Sequence, residues 1–233
     1  MGNIKIRYCF GLPHHQREVF TLRLDDKNLE LIGNVPENPP HWSHLEYHQC
    51  PNCLLNSRKH PFCPIMLKLV NIIDRFDQIL SYDQIDLEVI TQERTISRPT
   101  TAQKGLSSLM GLVIASSGCP HTLFFKPMVR FHLPLASEEE TIYRAASMYL
   151  LAQYFLQNEG LDADFSLEGL ERIYKDMNIV NASIANRLRE SSKADSSVNA
   201  IVMLDIYAKA MPYVIDDSLE EIRYLFAPYL NQR

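Results

Sequence analysis

The stretch "IKIRYCF", Ile4 to Phe10, places Ile4, Ile6, Tyr8 and Phe10 on one side and Lys5, Arg7 and Cys9 on the other. That period of two marks a strand with one buried face. Gly11-Leu12-Pro13 makes a turn, and "VFTLRL", Val19 to Leu24, repeats the alternation with Phe20, Leu22 and Leu24 on the apolar side. Asp25 to Asn28 then turns the chain into "LELI", Leu29 to Ile32. Residues 4–32 are therefore expected to form a small antiparallel meander.

Beyond it, "NVPENPPHW" is a proline-rich connector into a cysteine-bearing segment. From Pro64 the period changes. Ile65, Leu69, Ile72, Ile73 and Phe76 recur at helical spacing, and Pro64 suits a first helical position because its missing N–H would be unpaired there anyway. Cys63 is thus expected at or near the N-cap. "IDLEVITQERTI", Ile85 to Ile96, reads as one strand, and a second helix is expected over 101–116, stopped by Gly118. "TLFFKPMVRFHL", Thr122 to Leu133, looks strand-like but is broken by Pro127, which suits an edge or a loop.

From Ser137 the chain turns helical. Ser137 with Glu140 forms a capping box ahead of an apolar helix over 138–157. Further helices are expected near 166–178, 181–191, 197–211 and 218–227, with Pro212 ending the fourth and Asp217 with Glu220 capping the last. The fold class is α+β: a β-meander over 1–36, a mixed α/β region around the cysteines over 37–135, and a helical bundle portion over 136–233. The three also read as one unit.

Of 233 residues, 46% are hydrophobic and 22% charged, ordinary values for a globular protein with a sizeable core. The net charge of −5 argues against a protein whose main work is neutralising nucleic-acid phosphates. No apolar run is long enough to span a membrane. The amino-terminal residues lack the basic start and apolar centre of a secretory signal, so a cytoplasmic location is the expectation.

In a reducing compartment, a close cysteine pair points to metal or redox chemistry more than to a disulfide. Cys50-Pro51-Asn52-Cys53 has the two-residue spacer that lets both sulfurs reach one ion. Cys63 lies at the start of one helix and Cys119 just past the end of another. If those helices pack antiparallel, both thiols join the Cys50–Cys53 turn in a four-cysteine set. Cys50, Cys63 and Cys119 are each followed by proline, which fixes the backbone directly after the ligand. His60 and His121 are nearby second-shell or substitute ligands. Structural zinc is the leading reading, since it tolerates irregular spacing. An iron–sulfur cluster is the alternative, favoured by the Cys–Pro dipeptides and the long final gap. The competing readings are buried thiols that merely fill core, and a low-pKa redox thiol at Cys50 or Cys63. Cys9, alternating with Lys5 and Arg7 on the polar side of the first strand, is left outside the set. His41, His44 and His48 would share one helical face, a weak pattern behind two prolines.

Arg98, Thr101, Gln103 and Lys104 cluster at the start of the second helix, where free N–H groups favour an anion, with Lys126 and Arg130 as helpers. The plainer reading is a capped helix with a solvated first turn, because no glycine-rich cradle precedes it. No hydrolase, zinc-protease or dinucleotide motif occurs. Two functions follow. One is a zinc-tied protein whose helical portion binds a protein partner. The other is an iron–sulfur or thiol redox protein or enzyme with an anion corner near Arg98 and Lys104.

Overall fold

A computed structural model describes residues 2–33, 35–191 and 195–231. The alternating stretch forms β1 (Asn3–Gly11), which pairs antiparallel with β2 (Arg17–Asp25) so that Tyr8 faces Phe20. On its other edge β1 takes β3 (Gln84–Ile90), with Tyr8 opposite Val89, and β4 (Thr95–Thr101) completes the order β2-β1-β3-β4. The expected third meander strand is absent as a strand. "LELI" makes one isolated bridge, Leu24 to Leu31, and Leu31 N donates to Ser116 O at 2.8 Å. The sheet grows from its other side, where β1 takes β3, whose Ile85, Leu87 and Val89 supply three buried side chains.

"IDLEVITQERTI" is two strands, not one. Thr91 N donates to Arg94 O at 2.9 Å, and the Thr91 hydroxyl accepts from the Arg94 amide at 3.1 Å, closing a hairpin between β3 and β4. Pro99 is tolerated because β4 is an edge.

One face of the sheet is covered by α1 (Pro64–Arg75) and α2 (Ala102–Ala115). Phe76, at the α1 C-cap, meets Phe10 edge-on at 4.9 Å between ring centroids. Gly105 on α2 sits so close to the sheet that a Cβ there would meet Ile85 Cδ1 at 2.9 Å and Phe10 Cε1 at 3.1 Å. α2 ends where expected, and Gly118 takes a left-handed φ of +88°. Thr122 to Leu133 is not strand. Pro120–Phe125 is a 3-10 turn leading into α3 (Lys126–Arg130), where Pro127 occupies the first helical turn rather than interrupting a ladder.

The capping box at Ser137 is formed in both directions: Glu140 N donates to Ser137 Oγ at 3.1 Å and Ser137 N to Glu140 Oε2 at 2.7 Å. It opens α4 (Glu138–Asn158). The break expected near 178–181 does not occur. α5 runs unbroken over Glu168–Ser191, because Met177, Val180, Asn181 and Ile184 are all buried and packing outweighs weak local propensity. α6 (Asp195–Glu221) likewise continues past Pro212, packed against both α2 and α5. Residues 218–221 belong to α6, and the chain closes with a 3-10 turn over Arg223–Phe226 and α7 (Ala227–Leu230). The side chain of Asp217 lies outside the described residues. The fold is α+β, with an antiparallel sheet at the amino-terminal end and helices dominating the carboxy-terminal half. Among the described residues no single helix is long and apolar enough to cross a membrane. The one apolar pair, Ala102–Ala115 with Pro120–Arg130, is bent by 110°.

Candidate cysteine site and adjoining cavity

The turn at Cys50 is built by its own spacing: Cys53 N donates to Cys50 O at 2.9 Å, which places the two side chains toward the same side. Cys63 occupies the N-cap of α1 with Pro64 behind it, and Cys119 the N-cap of the 3-10 turn with Pro120 behind it. Backbone bonds from Leu45 N to Pro61 O and from Cys63 N to Ser43 O, both 2.9 Å, fold the intervening loop back on itself.

All four thiols line one small cavity of about 20 Å³, together with His121, Ile184 and Arg187. That is room for a single water-sized occupant. Cys63 and Cys119 are buried, Cys50 and Cys53 partly so, and all five cysteines are free thiols. Among the described residues, no three His, Cys, Asp or Glu side chains are arranged to hold a metal ion as they stand. Cys9 is buried in β1, not solvated, and takes no part in this lining.

Burial sets the protonation of these thiols. It pushes Cys119 from 9.0 up to about 12, against the pull of the His121 amide. Burial also raises Cys63, although the Met66 and Ile65 amides and the Arg187 charge favour its thiolate. Cys50 is raised by burial and drawn down by a hydrogen bond with Ser183. The neighbouring thiols raise one another further.

His121 is partnered through the backbone. Its Nε2 lies 2.6 Å from Asn52 O and its Nδ1 3.7 Å from Asp176 Oδ2, while Asn52 Nδ2 donates to Asp176 Oδ1 at 3.1 Å. His121 therefore latches the Cys50–Cys53 turn to α5. His60 is exposed and does not line the cavity. The histidines of the preceding loop do not converge either: His41 packs on Tyr47, His44 on Phe62, and His48 Nε2 lies 2.9 Å from Glu190 Oε1.

Sequence reasoning missed Arg187. It is 2% exposed and donates to the carbonyls of Trp42, His44, Leu45 and His48. An arginine in a polar-looking helix stretch, with Arg189 two residues on, carries no signal that it will be buried.

The anion corner is rearranged. Ala102 N donates to Asp83 O and Gln103 N to Ser81 O, so the first amides of α2 are already used. Thr101 is the N-cap residue but makes no side-chain cap, and its Oγ1 is buried without a hydrogen-bond partner among the described residues. Arg130 pairs with Glu93 at 3.5 Å. Arg98 and Lys104, in contrast, both line a second cavity of about 440 Å³. Its walls include Leu112, Met128, Met177 and Leu204, with Ser108, His132 and Arg144 as polar points. Tyr8, fully buried, joins Ser108 Oγ at 3.0 Å and His132 Nε2 at 2.5 Å. Burial pushes His132 from 6.5 down to about 3, so it is a neutral ring, and it raises the Tyr8 phenol.

Residues 5–227 match the family described as a domain of unknown function, DUF6901. The chain belongs to that family. The match spans the whole sheet except its first residues and both cavities, so each is part of the DUF6901 domain. No curated protein and no solved structure matches the chain.

Proposed function

We propose that the chain is a metal-binding protein in which Cys50, Cys53, Cys63 and Cys119 hold one structural zinc ion. The observation that carries this reading is that thiols from three separate segments line one space of about 20 Å³. A tetrahedral thiolate site would need all four sulfurs at bonds of ~2.3 Å to the ion, a convergence that metal binding itself would have to complete. Such a shell is closed and leaves no position for a substrate. Two features favour the charge it would carry: the amides that draw Cys63 and Cys119 toward thiolate, and the buried Arg187 guanidinium beside the cavity.

The size of the space favours a single ion over an iron–sulfur cluster, which needs room for inorganic sulfide as well. Free thiols suit a reducing, cytoplasmic setting. The zinc would tie the Cys50–Cys53 turn and the start of α1 to the end of α2. The helical portion is then the surface for a protein partner, a reading supported by exposed Tyr143, Leu151, Tyr154 and Phe155 on α4.

Elemental analysis of untagged protein, with absorption spectroscopy at the metal edge, tests the proposal. One zinc per chain with four sulfur neighbours is expected. No zinc after refolding in excess zinc, a coloured iron centre, or two or more light-atom neighbours would overturn it.

A further inference from the structure

The 440 Å³ cavity has the size and the mainly apolar walls of a small-molecule site. Its charge is one-sided. Arg98, Lys104 and Arg144 contribute to the lining, and none of the described lining residues is Asp or Glu. Arg98 and Lys104 are exposed, whereas Arg144 is half-buried.

Arg144 Nη2 donates to Met128 O and Phe131 O at 3.2 and 3.1 Å. These carbonyls hold the guanidinium against the wall without neutralising it. Glu140, one turn earlier on α4, has its carboxylate in the Ser137 cap; its charge favours the Arg144 cation from there, but no carboxylate among the described residues lies within ion-pair distance of Arg144. A guanidinium drawn out of water in this way is costly unless an anion meets it.

We infer that the cavity binds an aliphatic monocarboxylate, its chain among Leu112, Met177 and Leu204 and its carboxylate on Arg144, with Arg98 and Lys104 drawing the anion to the mouth. A guanidinium matches a planar carboxylate through two parallel N–H donors, which favours carboxylate over a bulkier head. His132 lies on the same wall with its Nε2 already engaged by the Tyr8 hydroxyl, which leaves Arg144 as the charged group nearest it in the lining. The site is independent of the thiol cavity, with which it shares no lining residue.

The test is calorimetric titration of the full chain with three probes of equal tail: dodecanoate, dodecanol and dodecylammonium. Dodecanoate is expected to bind about 10-fold or more tighter than dodecanol, with dodecylammonium weakest. Arg144→Gln should remove that preference while leaving dodecanol binding unchanged, the dodecanol arm doubling as a check that the cavity is intact. Met177→Trp, which fills the space from α5, should abolish binding of dodecanoate and dodecanol alike while the protein stays folded by circular dichroism. If Arg144→Gln does not fold, the wild-type head-group series and Met177→Trp decide. Equal affinity for dodecanoate and dodecanol, binding that survives Met177→Trp, or no binding of any probe would each overturn the inference.

Discussion

Arg187 Nη2 donates to the carbonyl oxygen of Leu45 at 2.8 Å, joining two positions 142 residues apart. The same guanidinium reaches His44 O at 2.7 Å, Trp42 O at 3.1 Å and His48 O at 3.3 Å, so one buried cation on α5 sets the curve of the loop that leads into Cys50. Arg187→Met should leave those carbonyls underbonded and lower the unfolding free energy by about 3 kcal/mol, read from the urea midpoint. Arg187→Lys should not rescue it, since one ammonium lacks the planar fork that reaches carbonyls in several directions.

Zinc linkage separates Cys53 from Cys9. Wild-type protein should melt higher in zinc than in chelator, by about 2.7 kcal/mol at a hundredfold excess over the dissociation constant. Cys53→Ser should abolish that difference and Cys9→Ser should preserve it, even though Cys9 is buried and its own substitution carries a packing cost. An unchanged zinc increment in Cys53→Ser would count against the four-thiol site.

Proton release follows from the raised thiols. With Cys50, Cys63 and Cys119 all held toward the neutral form, zinc binding near neutral pH should expel at least three protons, measured by calorimetry in buffers of different ionisation enthalpy. Zinc-free protein should show the complementary effect in alkali. Cys119 unfolded ionises near 9.0 and folded near 12, so the stability it confers is complete below pH 9.0 and declines as pH rises toward 12.

At the acid end the relevant group is His132. Its folded pKa of about 3 lies below the ordinary 6.5, so between those values the unfolded chain binds the extra proton. Stability is fully present above 6.5 and falls as pH drops toward 3. In His132→Gln the slope of unfolding free energy with pH across that window should be smaller, as followed by urea titrations at stepped pH.

Two glycines in α2 should respond with opposite sign to alanine. Gly105→Ala places a methyl 2.9 Å from Ile85 Cδ1 and 3.1 Å from Phe10 Cε1, and should destabilise by roughly 1–3 kcal/mol despite better helix propensity. Gly111→Ala meets the Leu204 side chain alone, at 3.4 Å from Cδ2 and 4.0 Å from Cδ1, and should stabilise by about 0.5–1 kcal/mol. Thermal melts of both variants check the pair.

Local chemistry made part of this protein readable in one dimension. The alternation of Ile4 to Phe10, Pro64 behind the Cys63 cap, the Ser137–Glu140 box and the Cys50–Cys53 turn all act within a few residues, and each forms as its spacing predicts. Where the reading failed, a distant partner outweighed a local pattern. "LELI" has the composition of a third strand, but it meets β2 only at the Leu24–Leu31 bridge, because the Leu31 amide is drawn off to Ser116 O beyond α2, and the sheet extends instead from β1 through β3. Asn181 weakens a helix in isolation, yet α5 crosses it because it is buried along with Met177, Val180 and Ile184.

The sequence by itself determined the α+β class, the starts of α1, α2 and α4, and the four thiols to be watched. Only the tertiary structure decided that those thiols line one space, that Arg187 is buried beside it, and that Arg98, Lys104 and Arg144 line a common cavity. The physical reason is range. Capping, turns and amphipathic periods are interactions between residues a few positions apart and leave a repeat in the sequence. A cavity wall assembled from β4, α2, α4, α5 and α6 is a property of how those elements pack, and packing between elements leaves no period to read.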